Sequence, residues 1–444
     1  MAPPLVLQNG ARIGVLGGGP AGSFFALFAS RLARKLNLEL EISIYDRKDF
    51  DAVGPRGCNM CAGAIGSGLV TQLKEIGLSL PPQVVRQEVT GYAFHGAGRV
   101  VFLPPVSEER IYTVFRGGGP RGERVRGETV SFDQHLLNYA VLSGAKVIQK
   151  RIDEVEFSPT GREKPVLKFN NSREEMDLVV GAFGVNSTIL KRFSPGYRPP
   201  STWHSCQTEL EADREFIRDK LKDMIHIFST VKSGLHFLAI TPKGNYLTVT
   251  GIGPHVRIKD LHQEISSPLV REYLPAHWES LCHCHPQVPV GHAARPYADR
   301  MVIIGDASFC RYLKNGIESA FITAGLAAQS ALAHGISGQD FHNYYYLPGR
   351  RLFAWDNHIG RLMFYIHRIF SSSDTLCRIC LDMAQREQAD GKDPNKILST
   401  ILWHMFTGNV PYRRIFFKGL SASLLVEFLR SLSSLAWQRV WADH

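Results

Sequence analysis

An α/β fold is predicted by three short glycine-and-acid signatures that fall in order along the 444 residues: Gly17-Gly18-Gly19-Pro20-Ala21-Gly22, Asp177 to Ser187, and Gly305-Asp306. The first sits in the context such a motif requires, after the apolar run Ile13-Gly14-Val15-Leu16 and before a helix-like stretch from Ser23 to Leu36. A second apolar run, Leu40 to Tyr45, ends in Asp46 and Arg47, roughly 20 to 30 residues beyond the glycines, where a dinucleotide fold has the acid that holds a ribose. These segments make a βαβ unit. In it Gly17 forms the tight turn, Gly19 lets the backbone approach a pyrophosphate, and Gly22 lets helix and strand pack closely. The helix that starts around Pro20 and Ala21 turns free N–H groups and a positive dipole end toward the phosphates.

The third signature adds what is specific to a flavin. The strand-like run Met301-Val302-Ile303-Ile304 leads into Gly305-Asp306-Ala307, followed by a helix-like run from Gly316-Ile317 to Ala333. An acid at that strand end can accept hydrogen bonds from ribityl hydroxyls. The helix behind it can aim its N-terminal dipole at the pyrimidine edge of an isoalloxazine, stabilising the negative charge of the reduced ring. FAD is the cofactor expected, with Gly17, Gly19, Pro20, Ala21, Gly22, Asp46, Arg47, Gly305, Asp306, Gly316 and Ile317 as candidate contacts. The predicted class is α/β: a Rossmann-like FAD-binding domain with an inserted β-sheet substrate domain and a helical C-terminal region.

On these residues, with Asp177-Leu178-Val179-Val180-Gly181-Ala182-Phe183-Gly184-Val185-Asn186-Ser187 and Gly325-Leu326-Ala327-Ala328, about the first three quarters of the chain resembles a known family. It is that of the FAD-dependent oxidoreductases grouped with geranylgeranyl reductases and, more distantly, aromatic-ring hydroxylases. The resemblance implies that Val130 to Leu137 begins a helix after an arginine-bearing strand, the arginine being Arg116 or Arg126, and makes Arg116 a further cofactor contact. It also implies that the loop Gly54 to Gly63 passes close to the flavin, so that Cys58 or Cys61 donates a proton or shapes the pocket. Two departures stand out. Phe183 replaces an aspartate of the family's middle signature that is associated with positioning a nicotinamide donor, which leaves the donor open between NAD(P)H and a reduced carrier protein. After Asp306 the family's proline and Gly-Glu-Gly-Ile give way to Arg311-Tyr312-Leu313-Lys314-Asn315-Gly316-Ile317, which makes Lys314 a candidate charge near the flavin's far edge.

The chain is long enough for two or three packed units. Its formal net charge is +10. No recognition motif and no basic run interleaved with stacking aromatics accompanies that charge, so nucleic acid is not an expected partner. Basic residues gather instead in the loop Arg116 to Arg126, which reads either as a diphosphate or carboxylate attractor or as a solvated turn, and in the C-terminal quarter. No stretch reaches the ~18 uninterrupted apolar residues of a spanning helix. Met1 to Gly10 lacks the pattern of a secretory signal, and a cytoplasmic protein is expected.

Composition suggests residues 10–86, 127–190 and 295–340 as a discontinuous FAD-binding domain, 87–126 and 191–294 as a β-sheet substrate domain, and 341–444 as a helical region. Gln87 to Phe115, Ile225 to Phe228, His236 to Ile240 and Tyr246 to Thr250 read as strands of a second sheet. The resemblance implies that this sheet roofs the flavin and forms the substrate cavity. Leu352, Trp355, Ile359, Leu362, Met363, Ile366 and Ile369 recur at helical spacing, as core helices do. Basic residues beside Phe416, Phe417, Trp437 and Trp441 are also what an interfacial helix presents to anionic lipid, which makes the inner face of a membrane a candidate partner.

Eight cysteines without an export signal are expected to be thiols. Cys282-His283-Cys284-His285, with Cys58 and Cys61, supplies soft ligands. Adjacent residues do not readily all face one ion, and no metal is expected. Cys377 and Cys380 read as helical core. The expected activity is reduction or dehydrogenation of carbon–carbon bonds in a hydrophobic, isoprenoid-like substrate through flavin N5, with Cys58, Cys61 and Lys314 as candidates near the chemistry. Two alternatives stay open: a flavin monooxygenase, and a non-catalytic lipid-binding protein on the same fold.

Overall fold

A computed structural model describes residues 4–123, 127–158, 163–189, 196–229, 234–389 and 396–442, the side chains of 434–442 excepted. Its first sheet has six strands in the order Tyr297–Ala298, Met301–Ile303, Leu178–Gly181, Ala11–Leu16, Leu40–Tyr45, Lys146–Ile148. All neighbours run parallel except the edge pair Tyr297–Ala298 and Met301–Ile303. Burial on both faces is why these strands read as unbroken apolar runs, with Ile13, Val15, Val180 and Val302 wholly enclosed. On one face lie helices Pro20–Lys35, Phe132–Leu142 and Gly316–Ala333, the first packed against both others. Phe321 meets Phe24 and Phe28 edge-on at 5.2 and 5.0 Å. The antiparallel sheet Glu154–Glu156, Val166–Phe169, Ser172–Glu175 covers the opposite face, where Phe169 packs on Tyr45.

Register brings the three signatures together. Leu16 lies opposite both Tyr45 and Gly181, and Gly181 opposite Ile303, so the turns after these strands share one edge of the sheet.

The second sheet has seven strands in the order Gln287–Pro289, Thr202–Glu211, Tyr246–Gly253, Phe237–Pro242, Ile225–Phe228, Tyr92–Gly96, Arg99–Leu103. Side chains alternate across it as the pleat requires. Leu238, Ile240 and Val249 pack beneath helices Arg214–Leu221 and Ile258–Ile265, while Ile225, Ile227, Phe237, Ala239 and Ile252 turn the other way. The sequence reading is corrected at the ends of Gln87 to Phe115. Val85–Val89 and Ile111–Val114 leave this sheet for a separate three-stranded one, in which Ile111–Val114 pairs antiparallel with Val85–Val89 on one side and Ala64–Gly66 on the other. Gly91 makes the break, since a Cβ there would lie 2.3 Å from the Leu103 carbonyl oxygen.

Helices Leu347–Ser372, Asp374–Ala389, Ile397–Thr407, Tyr412–Gly419 and Ala422–Ala442 follow. Trp403, Phe406, Phe364 and Tyr412 form the core between them and the second sheet, and the Tyr412 hydroxyl donates to the Tyr312 carbonyl at 2.7 Å. Gly360 gives Tyr412 its place, because a Cβ at Gly360 would sit 2.5 Å from the ring. The apolar stripe of Leu347–Ser372 is only partly core: Ile359 and Met363 are buried, whereas Leu352, Trp355, Leu362, Ile366 and Ile369 are exposed. The side chains of Trp437 and Trp441 lie outside the described residues. Among the described residues no helix is long and apolar enough to cross a membrane.

Candidate functional site

A cavity of ≈ 800 Å³ lies between the ends of the parallel strands and the seven-stranded sheet. Gly17, Gly19, Pro20, Ala21, Asp46, Arg47, Cys61, Arg116, Gly305, Asp306, Lys314, Gly316 and Ile317 all line it. Of the remaining expected residues, Gly22 packs behind the cavity wall and Cys58 faces a different space.

The glycines divide by what surrounds them. Gly17 has φ +115°, and a Cβ there would lie 2.5 Å from the Ala182 carbonyl oxygen. At Gly22 a Cβ would fall 1.9 Å from the Gly17 carbonyl oxygen, so this residue permits the close approach of helix and strand. Gly19 is open, its nearest would-be neighbours being Asn59 Nδ2 at 3.8 Å and Asp133 Oδ2 at 3.9 Å. Pro20 occupies the first helical position, where its missing N–H costs nothing.

Two acids flank this cradle. Asp46 accepts hydrogen bonds from the Gly18 N–H at 2.8 Å and the Lys48 N–H at 2.9 Å, which ties it to the glycine turn while each oxygen keeps a second acceptor site. Asp306 accepts from the Val185 N–H at 3.0 Å, and burial raises its pKa above the usual carboxylate value. The Gly305 N–H donates to Thr323 Oγ1 at 2.9 Å, linking the third signature to helix Gly316–Ala333. The first turn of that helix lines the cavity behind Asn315, whose left-handed backbone starts it and whose side chain donates to Glu318 and to the Gly408 carbonyl.

Arg116 donates two hydrogen bonds to the fully buried Asp133, from Nε to Oδ1 and from Nη2 to Oδ2 at 2.9 Å, and Asn59 donates to the same carboxylate. Burial opposes the guanidinium charge, but Asp133 outweighs it and holds the Arg116 pKa above its ordinary value. Arg126 lies outside the described residues. Arg121 pairs with Glu211 at 3.2 Å, so the described basic residues of this loop already have acidic partners. Lys48 Nζ donates to the Cys58 carbonyl at 2.9 Å and to Asn59 Oδ1 at 2.7 Å, with its pKa lowered by burial.

Lys314 differs from the expected fixed charge. Its Nζ stands 5.2 and 4.8 Å from the ring centroids of Phe237 and Phe406, and burial brings its pKa down to about 7.

The cysteines separate. Cys61 Sγ accepts the Gly63 N–H at 3.4 Å, and this residue lines the main cavity. Cys58, expected beside the flavin, instead faces a small space of ≈ 20 Å³ together with Cys61, Cys282 and Cys284, and burial raises its pKa. Cys282 and Cys284 reach one side together because this stretch runs extended beside Thr202–Glu211, bridged at Gln207 and Cys284. Among the described residues no three His, Cys, Asp or Glu side chains are arranged to hold a metal ion. Cys377 is buried and Cys380 half-buried on helix Asp374–Ala389.

Sequence reasoning missed the apolar half of the cavity. Ile225 and Ile227, Phe237 and Ala239, and Thr250 and Ile252 line it with Phe406. Their two-residue alternation was the available signal, since each pair lies on one face of a strand already recognised. Lys48, Asn59 and Asp133 had no such spacing.

These features fit a flavin dinucleotide. Gly19 is open toward Asn59 and Asp133, and Gly17 and Gly22 exclude any other side chain. Asp46 and Asp306 stand at two strand ends, and the volume falls within the range of about 300–1,000 Å³ usual for small-molecule sites.

No family model matches the chain, and no curated protein gives a significant match. Solved structures do resemble it. A geranylgeranyl bacteriochlorophyll reductase-like protein from Thermoplasma acidophilum superposes with a TM-score of 0.64 at 18% identity, over 85% of this chain and 92% of that one. The flavin-dependent halogenase CmlS gives 0.61 at 18% identity, over 97% and 78%. The p-nitrophenol 4-monooxygenase PnpA from Pseudomonas putida DLL-E4 gives 0.58 at 14% identity, over 90% and 98%. The fold of this chain is therefore the Rossmann-type α/β fold that these flavoproteins share.

Proposed function

We propose that this protein is an FAD-dependent oxidoreductase that reduces or dehydrogenates carbon–carbon bonds of a hydrophobic, isoprenoid-like substrate. The observation that carries the reading is a single cavity with a glycine-and-acid cradle at one end and an apolar wall from the second sheet at the other. FAD, when bound, would supply hydride transfer at N5. Gly17, Gly19 and the helix beginning at Pro20 would hold its pyrophosphate, Asp46 a ribose and Asp306 the ribityl chain. Arg47 would add positive charge, while Arg116, neutralised by Asp133, would brace the wall.

The apolar strand residues would orient the substrate and exclude water. Lys314 Nζ, with a pKa of about 7, can give or take a proton near neutrality, as a general acid or base must. Cys61 is a second proton-bearing group on the same wall. The electron donor would be NAD(P)H or a reduced carrier protein. A monooxygenase reading is also supported, because a monooxygenase and a geranylgeranyl reductase-like protein resemble the fold comparably.

Anaerobic mixing of the holoprotein with each donor, followed by a polyprenyl alkene, tests the proposal. Flavin bleaching by a donor and its reoxidation by the alkene without oxygen are expected. Reoxidation only when oxygen is admitted, with a hydroxylated product, would replace reduction by monooxygenation.

A further inference from the structure

We infer that the helices Leu347–Ser372 and Tyr412–Gly419 dock this protein on an anionic lipid bilayer. The inner stripe of Leu347–Ser372, with Phe353, Met363 and Phe364, is buried. Its outer side carries Leu352, Trp355, Leu362 and Ile366 into solvent, Trp355 with 59% of its surface accessible. Beside it, Phe417 and Leu420 are 64% and 65% exposed. Gly360 packs against Tyr412, so the two helices are neighbours.

Charge selects the occupant. The only acid on either helix is Asp356, and it is buried. Arg351, Arg368, Arg414 and Lys418 are exposed on these same helices, and among the described residues none of them pairs with a carboxylate. Large apolar side chains interspersed with unpaired cations, without exposed acids, match the boundary between acyl chains and anionic headgroups. Long basic side chains can keep their charge at headgroup level while their stems lie against lipid. An acid-free face also disfavours pairing with a second copy of itself, whose cations would meet its own.

Phe406 and Thr407, which end helix Ile397–Thr407, and Asn409, in the turn before Tyr412–Gly419, line the cavity wall. The inference therefore deepens the proposed function by naming the surface from which a hydrophobic substrate would arrive, but its test needs no turnover.

Full-length holoprotein would be sedimented with vesicles of phosphatidylcholine alone or mixed with phosphatidylglycerol, at low and high salt. Binding to the phosphatidylglycerol vesicles, release by salt and little binding to neutral vesicles are expected. The double variants Trp355→Asp/Phe417→Asp and Arg351→Glu/Arg414→Glu should each bind about tenfold more weakly or worse, with the flavin spectrum unchanged. Failure of the native protein to bind anionic vesicles, or full binding by both variants, would overturn the inference. So would light scattering that reports a stable dimer dissociated by these substitutions. Should a variant fold poorly, the contrast between anionic and neutral vesicles on the native protein decides alone.

Discussion

Gly19 and Lys314 are the residues at which site chemistry can be separated from structural support. A Cβ at Gly19 meets nothing closer than 3.8 Å, so Gly19→Ala should cost no more than about 1 kcal/mol, the loss of a favourable helix N-cap, while narrowing the space a pyrophosphate needs. Fluorescence titration of apoprotein with FAD should show affinity falling at least tenfold, roughly 1.4 kcal/mol, with only a small shift of the urea midpoint. Lys314 makes its own pH signature. Its folded pKa is depressed to about 7 from 10.5, so between those values the unfolded chain binds more protons and stability rises with pH. Below pH 7 both states are protonated, and the cost of burying the ammonium is fully present. Lys314→Met should therefore stabilise the fold below pH 7 by roughly 1–3 kcal/mol and flatten the slope above it, measured by urea unfolding from pH 6 to 10.

At the scale of elements, one contact braces the cavity wall and another the C-terminal helices. Asp133 joins helix Phe132–Leu142 to Arg116 and Asn59, and Asp133→Ala would strand a buried guanidinium. A loss of about 3–5 kcal/mol by denaturant unfolding is expected, compared with a small change for an exposed pair such as Arg218 and Asp219. Gly360→Ala would press a methyl group into Tyr412 and should cost about 1–3 kcal/mol through overpacking of the C-terminal helices, with FAD retained. The βαβ unit and the strand before Asp306 were legible in the sequence because their period, glycines and end residues all follow from local geometry. The strands Val85–Val89 and Ile111–Val114 were recognisable as strands, but alternation fixes which face is buried and not which sheet a strand joins. The same limit applies to Trp355, since helical spacing cannot tell a stripe against a neighbour from one facing solvent.

For the whole molecule, three separated signatures meet at one sheet edge and a second sheet closes over them, so the glycine-and-acid end of the cavity was readable from residues 17 to 22, 46 and 306. The apolar end depends on contacts between Phe237, Lys314 and Phe406, far apart in sequence and joined only by tertiary packing. Cys58 shows the converse: it lies in the expected loop, yet it shares a small space with Cys282 and Cys284 and does not line the main cavity. The visible absorption spectrum of the protein purified under mild conditions, with denaturation to release and weigh any bound chromophore, is the most direct measurement. A two-banded flavin spectrum with one FAD per chain is expected. Correctly folded protein that is colourless and takes up no added FAD would contradict it.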